Sequence, residues 1–172
     1  MTPYLKDWRS KEFVPYDSSE FSENALDYAI YLANTIFKSN PNRQSIRIII
    51  LHVIQRLPLT KSILDRMTSM HKEDNPSLDK CITSIYQEIR NLVEGDIDKK
   101  KQNYRSVEGV SIESVIIYGD PSNQIVEYAD TNRVDMIVIG SNGLQGLAKI
   151  KGLGSVSRKV SERVSCPIVI IR

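Results

Sequence analysis

The segment Val134-Asp135-Met136-Ile137-Val138-Ile139-Gly140-Ser141-Asn142-Gly143-Leu144-Gln145-Gly146, followed by Gly152-Leu153-Gly154-Ser155-Val156-Ser157, decides the fold of this chain. Met136 to Ile139 is a short unbroken apolar run, as expected of a strand buried on both faces. It runs into Gly140, and five glycines fall between that point and Gly154. A helix is expected next, from about Ser155 to Val164. Glycines let a backbone turn sharply and come close to a ligand. Main-chain N–H groups in such a loop, backed by a helix N-terminus, form a cradle for phosphate. Ser155 and Ser157 add hydroxyl donors, and Ser155 can also serve as a helix cap. Lys149 and Lys151 lie in the loop and offset phosphate charge. The loop is neither a Walker A sequence nor a GxGxxG fingerprint. It has no GK[ST] triplet, and its glycines do not follow the first strand. Taken alone, the spacing is a moderate signal for phosphate, with a glycine-rich connection that holds no ligand as the alternative.

Outward from this segment, strands and helices alternate. Phe13-Val14-Pro15-Tyr16 is a weak first strand, ended by Asp17. Glu12 carries a charge into that strand, so the strand is expected to be short or frayed there. Ser22 to Lys38 has apolar residues at helical spacing, including Ala25, Leu26, Ala29, Ile30 and Ala33, with Ser22 as N-cap. Arg47 to Ile54, RIIILHVI, is a β-branched run suited to the interior of a parallel sheet. Residues 55 to 76 are polar and irregular. They read as a flexible insertion with some helix around Lys61 to Met70. From Leu78 a long helix presents Ile82, Ile85, Ile89, Leu92 and Val93, while Asp96 to Lys101 is expected to be largely solvated. Val110 to Tyr118 is a strand. Asp120 then caps a helix with Pro121 at its first position, running to about Asp130. Pro167 to Ile171 is a last apolar strand. The order β-α-β-α-β-α-β-α-β predicts an open parallel sheet with helices on both faces. Residues 1–10 read as a peripheral extension and residues 11–172 as a single domain.

The bulk properties agree. A chain of 172 residues suits one α/β domain with a sizeable core. The formal charge is +2, from 23 basic and 21 acidic residues, which gives no electrostatic reason for nucleic acid or a membrane surface as partner. The two cysteines, Cys81 and Cys166, form no CxxC pair, which argues against a disulfide framework or zinc site and for a reducing compartment. Both are expected to pack as core or boundary residues. The N-terminus has no signal-peptide core, and no apolar run has the length of a membrane span. A soluble cytoplasmic protein is the expectation. His52 reads as a satisfied core histidine and His71 as exposed, so a catalytic triad or histidine metal site is not expected.

The stretch from Val134 to Arg172 resembles the C-terminal signature of the universal stress proteins, a G-x2-G-x9-G-[ST] loop between the fourth strand and the last helix. Val14-Pro15-Tyr16-Asp17-Ser18-Ser19 resembles the family's first strand and turn, Leu51-His52-Val53 its second strand, and Gly119-Asp120-Pro121 the turn before its third helix. The likeness covers about residues 11 to 172. One departure stands out: ten residues separate Gly143 from Gly154, one more than in that pattern.

The resemblance implies a Rossmann-like sheet of the adenine nucleotide alpha hydrolase type, five parallel strands in the order 3-2-1-4-5. It also implies a site. Asp17 would accept hydrogen bonds from ribose hydroxyls, and Pro15 and Tyr16 would line the base pocket. The Val53 main chain would meet the adenine edge, and Ile139 and Gly140 would lie beside the ribose. Gly143, Gly154, Ser155 and Val156 would hold the phosphates of ATP, with Mg²⁺ or Mn²⁺ accompanying them and no protein metal ligands. The expected function is a regulatory, non-enzymatic nucleotide-binding domain with little or no hydrolysis, paired as a homodimer through the C-terminal edge strand. The alternative is a dimeric interaction module that has lost its nucleotide. A hydrolase of the α–β phosphate bond is disfavoured, because Asp17-Ser18-Ser19-Glu20 lacks the glycines of an SGGxDS loop.

Overall fold

The computed structural model describes residues 11–39, 45–56, 78–143 and 152–172. The N-terminal extension, most of the 55–76 insertion with His71, loop residues 144–151 with Lys149 and Lys151, and the Cys81 side chain lie outside the described residues. The elements are β1 (Lys11–Pro15), α1 (Glu20–Ser39), β2 (Ile46–Ile54), α2 (Leu78–Asn103), β3 (Val110–Tyr118), α3 (Pro121–Asn132), β4 (Met136–Gly140), α4 (Ser155–Arg163) and β5 (Ile168–Ile171). The five strands form one sheet in the order β3-β2-β1-β4-β5, and every pairing is parallel.

Two apolar layers cover the sheet. One face packs Val14, Ile48, Ile50 and Val138 against Ala25, Leu26, Ala29 and Ala33 of α1 and Ile97 of α2. The other packs Phe13, Ile49, Leu51 and Ile137 against Ile125, Val126 and Ala129 of α3 and Val160 of α4. Phe13 stacks on Tyr128 of α3, ring centroids 5.1 Å apart. Alternation along a strand explains why β2 is apolar at nearly every position: both of its faces are buried.

Several elements differ from the sequence reading. β1 does not fray at Glu12. It begins at Lys11, whose N–H donates to Asp135 Oδ2 (2.8 Å) and whose carbonyl accepts from the Asp135 N–H (3.1 Å). Glu12 sits inside this clamp, paired in register with Ile48 and Met136, and is 1% exposed. α1 starts before Ser22. Ser19 caps it, its carbonyl taking the Glu23 N–H and its hydroxyl the Ser22 N–H. On α2 the apolar pattern is only partly buried. Ile85 and Leu92 are exposed, whereas Ile97, in the segment expected to be solvated, is the helix residue driven into the core. Ser155 does not cap α4; Gly154 stands at that position and makes no side-chain cap bond. Asp120 caps α3 as expected, accepting from the Asn123 N–H, and Cys166 packs half-buried against the second layer.

Candidate functional site

Strand order reverses between β1 and β4, and in open parallel sheets a crevice forms beyond the carboxyl ends of the strands at that point. The first wall is the turn after β1. The Tyr16 N–H still donates to Leu51 O (2.8 Å), which holds the turn to the sheet. Asp17 then closes an Asx-type turn: its Oδ1 accepts from the N–H of Ser19 (3.1 Å) and from the Ser19 hydroxyl (2.5 Å). Ser18, between them, takes the left-handed conformation with φ 62°, and its hydroxyl donates to Asp96 Oδ2 on α2 (3.1 Å).

The second wall is the loop after β4. Gly140 must be glycine, because a Cβ there would lie 2.7 Å from the Phe21 backbone, so close does α1 pass. The Ser141 N–H bonds Ile171 O (2.6 Å), tying the loop start to β5. The Ser141 carbonyl then takes two donors from the far end of the loop, the Gly154 N–H (2.7 Å) and the Ser157 hydroxyl (2.8 Å). Both ends of the glycine-rich loop are therefore pinned at one carbonyl, and the extra residue between Gly143 and Gly154 does not part them. Across the crevice, a Cβ at Gly143 would come within 2.5 Å of Asp17 Oδ2.

All ten residues expected at the site border one cavity of about 650 Å³: Pro15, Tyr16, Asp17, Val53, Ile139, Gly140, Gly143, Gly154, Ser155 and Val156. That volume is within the range of small-molecule sites. Its described wall contains no lysine or arginine. The positive contribution comes from the N-terminus of α4, where Gly154 supplies no side-chain cap and the first turn carries no acidic residue. The Gly154 N–H is already given to Ser141, so the N–H groups of the first α4 turn are those aimed outward for an anion. Tyr16 is buried, and its hydroxyl donates to Glu23 Oε1 (2.5 Å), whose other oxygen pairs with Lys100 (2.6 Å). Burial and that hydrogen bond push the Tyr16 phenol far above its usual range. Among the described residues no cluster of three or more His, Cys, Asp or Glu could hold a metal ion.

Sequence reasoning missed part of this wall. His52 is not a satisfied core histidine: it is half-buried on the cavity wall, and among the described residues its Nδ1 has no hydrogen-bond partner. Burial lowers its pKa, opposed by the Tyr16 main chain and the nearby Asp17 and Asp96 carboxylates. Gln55, Pro121, Ile125 and Asn142 border the cavity too, brought there by sheet topology alone. Ser19 and Ser22 had a readable signal, a serine pair three apart at the start of an apolar helix pattern, the spacing of a helix cap.

An open parallel α/β sheet with a small-molecule cavity at its switch point and an uncapped helix N-terminus on the cavity wall defines a Rossmann-like protein. The universal stress protein family model matches residues 13–172, and the chain belongs to that family. It is similar to the universal stress protein YxiE of Bacillus subtilis, at 31% identity over 95% of this chain and 99% of that protein. Among solved structures it resembles the universal stress protein UspA from Lactobacillus plantarum, with TM-score 0.73 and 19% identity over 95% of this chain and 98% of that one. It also resembles a universal stress protein family protein from Arabidopsis thaliana solved with AMP bound, with TM-score 0.52 and 20% identity over 94% and 90%.

Proposed function

We propose that this protein binds an adenine nucleotide, ATP foremost, in the cavity between β1 and β4, as a regulatory ligand with little or no hydrolysis. The observation that carries the proposal is a single cavity bordered by both an acceptor-only carboxylate, Asp17, and the uncapped N-terminus of α4. The first suits ribose hydroxyls and the second suits phosphate. Pro15 and Tyr16 flank the base, the Val53 main chain meets its edge, and Ile139 and Gly140 lie beside the sugar. Gly143, Ser155 and Val156 cradle the phosphates, with Gly154 holding the cradle closed through Ser141. Mg²⁺ or Mn²⁺, if present, is held by phosphates and water. The AMP bound by the Arabidopsis relative supports an adenine ligand. Among the described residues no helix is long and apolar enough to cross a membrane, and the proposal takes the cytoplasm as the protein's location.

The proposal includes a homodimer through β5. The β3 edge is occupied by α2 side chains: Arg90 donates to Ile116 O (3.4 Å) and Lys101 reaches Ser114 Oγ (3.4 Å). Among the described residues no such cation meets β5, four half-buried apolar residues at the other edge. An apolar edge of that kind invites strand pairing.

Calorimetric titration of nucleotide-stripped protein with ATP and Mg²⁺ tests the site. Saturable binding that Gly143→Arg abolishes is the expected result, since a long side chain there enters the space of Asp17. A folded protein that takes up no nucleotide would instead be a ligand-free dimeric interaction module.

A further inference from the structure

We infer that Ser19 is a positioning residue that sets a preference for an intact ribose diol over deoxyribose, acting through Asp17; this rests on the nucleotide reading above. Ser19 is 6% exposed and sits at the N-cap of α1. Its hydroxyl is used twice. The oxygen accepts the Ser22 N–H (3.2 Å), and the proton goes to Asp17 Oδ1 (2.5 Å). The Ser19 N–H donates to the same carboxylate oxygen (3.1 Å). Ser22, 3% exposed, braces the turn from behind: its hydroxyl donates to Ser19 O (2.9 Å) and accepts the Asp17 N–H (3.3 Å).

The consequence is a carboxylate that cannot turn. Rotation about Cβ–Cγ would break both bonds to Oδ1, and water has no room to replace a donor as buried as the Ser19 hydroxyl. The N–H to O–H to carboxylate relay also starts from the first turn of α1, where aligned peptide dipoles favour negative charge. With Oδ1 held, Oδ2 is fixed on the Gly143 side of the crevice. A fixed acceptor at the cavity wall selects for a donor. Phosphate oxygens are acceptors; the donors of an adenine nucleotide are the adenine amino group and the ribose hydroxyls. With the adenine edge turned to the Val53 main chain in the proposed pose, the hydroxyls are left for Asp17. A deoxyribose turns a C–H toward the carboxylate instead, and a site built for a hydroxyl rejects the analogue that lacks it. A carboxylate free to rotate and hydrate would discriminate much less.

Competition binding of ATP, 2′-deoxy-ATP and 3′-deoxy-ATP to wild type, Ser19→Gly, Ser19→Ala and Ser19→Thr tests this. Glycine is a tolerated N-cap, so Ser19→Gly removes the hydroxyl with little cost to the helix. Wild type is expected to favour ATP over the weaker deoxy form by at least about tenfold. In Ser19→Gly and Ser19→Ala the gap closes to about twofold or less, through loss of ATP affinity and not gain for the deoxy form. Ser19→Thr, which keeps the hydroxyl, restores it. A Ser19→Gly protein that binds all three more weakly but keeps the wild-type ratio would make Ser19 a cap alone and overturn the assignment. Equal binding of ATP and both deoxy forms by wild type would overturn it as well. Wild type that binds none of the three defeats the nucleotide reading itself, a different result from any of these.

Discussion

Glu12 is the residue whose chemistry is least like its sequence neighbourhood. It is fully buried in the middle strand, neither carboxyl oxygen has a hydrogen-bond partner among the described residues, and its register partners Ile48 and Met136 are apolar. Burial pushes its pKa from the ordinary 4.5 to about 7. The folded protein therefore holds this proton more tightly than the unfolded chain does. Its contribution favours folding below pH 4.5 and is lost as pH rises from there to about 7, by roughly 3 kcal/mol in all. Glu12→Gln is expected to flatten this loss. In denaturant titrations at pH 5 and pH 8, the variant should lose less stability between the two than wild type, and should exceed wild type at pH 8. Parallel losses in the two proteins would mean that Glu12 is ionised in the fold. The residue also shows where sequence reading stops. A glutamate next to a short apolar run reads as a strand end, and only the Asp135 clamp on Lys11 and the cover of α1 make it interior.

At the scale of elements, the start of α3 was legible from a local rule, whereas the caps of α1 and α4 fell at Ser19 and Gly154 and not at the expected Ser22 and Ser155. Gly119-Asp120-Pro121 announces α3, and there Asp120 Oδ1 accepts from the Ser122 hydroxyl (2.6 Å) and the Asn123 N–H (2.9 Å). Those two bonds hold its carboxyl below the usual carboxylate range. Asp120→Ala should cost about 1 kcal/mol, the usual worth of an N-cap, seen as a lower denaturation midpoint at neutral pH. The difference from wild type should shrink in acid, because the depressed pKa contributes above the unfolded value and is lost as pH falls through the folded one. An unchanged midpoint would show that the cap is idle. Helix faces were less legible. On α2 the spacing of Ile85, Leu92 and Ile97 is compatible with several faces. Which one is buried depends on where the helix lands against β2 and β3, and that selects Ile97.

At the scale of the whole molecule, the two sheet edges differ in kind. Pro167 O and Ile171 O both accept from the β4 side, from the N–H groups of Ile137 and Ser141. By the two-residue period of a strand, the main-chain groups of Ile168 and Ile170 face the open edge. Ile170→Pro removes one outward donor without adding charge. On the proposed β5 dimer, light scattering after gel filtration should report a dimer for wild type and a folded monomer for this variant. A variant that remains a dimer would place the interface elsewhere, for example on the α1 surface that exposes Tyr28 and Tyr31.

The sequence by itself determined the alternation of strands and helices, the parallel sheet, and the two segments that meet at the switch point. Each of these follows from short-range periodicity, from apolar runs too continuous for a one-sided sheet, and from glycines where a backbone must turn. What the tertiary structure alone decided is how those segments hold each other. The glycine-rich loop is one residue longer than the family pattern, and counting residues could not say whether its ends still meet. They do, because Ser141 O has two lone pairs and takes both Gly154 and Ser157. The burial of Glu12, the place of His52 on the cavity wall and the carboxylate held by Ser19 are likewise products of packing between residues distant in space or turned by a single dihedral. No pattern along the chain encodes the water that packing removes.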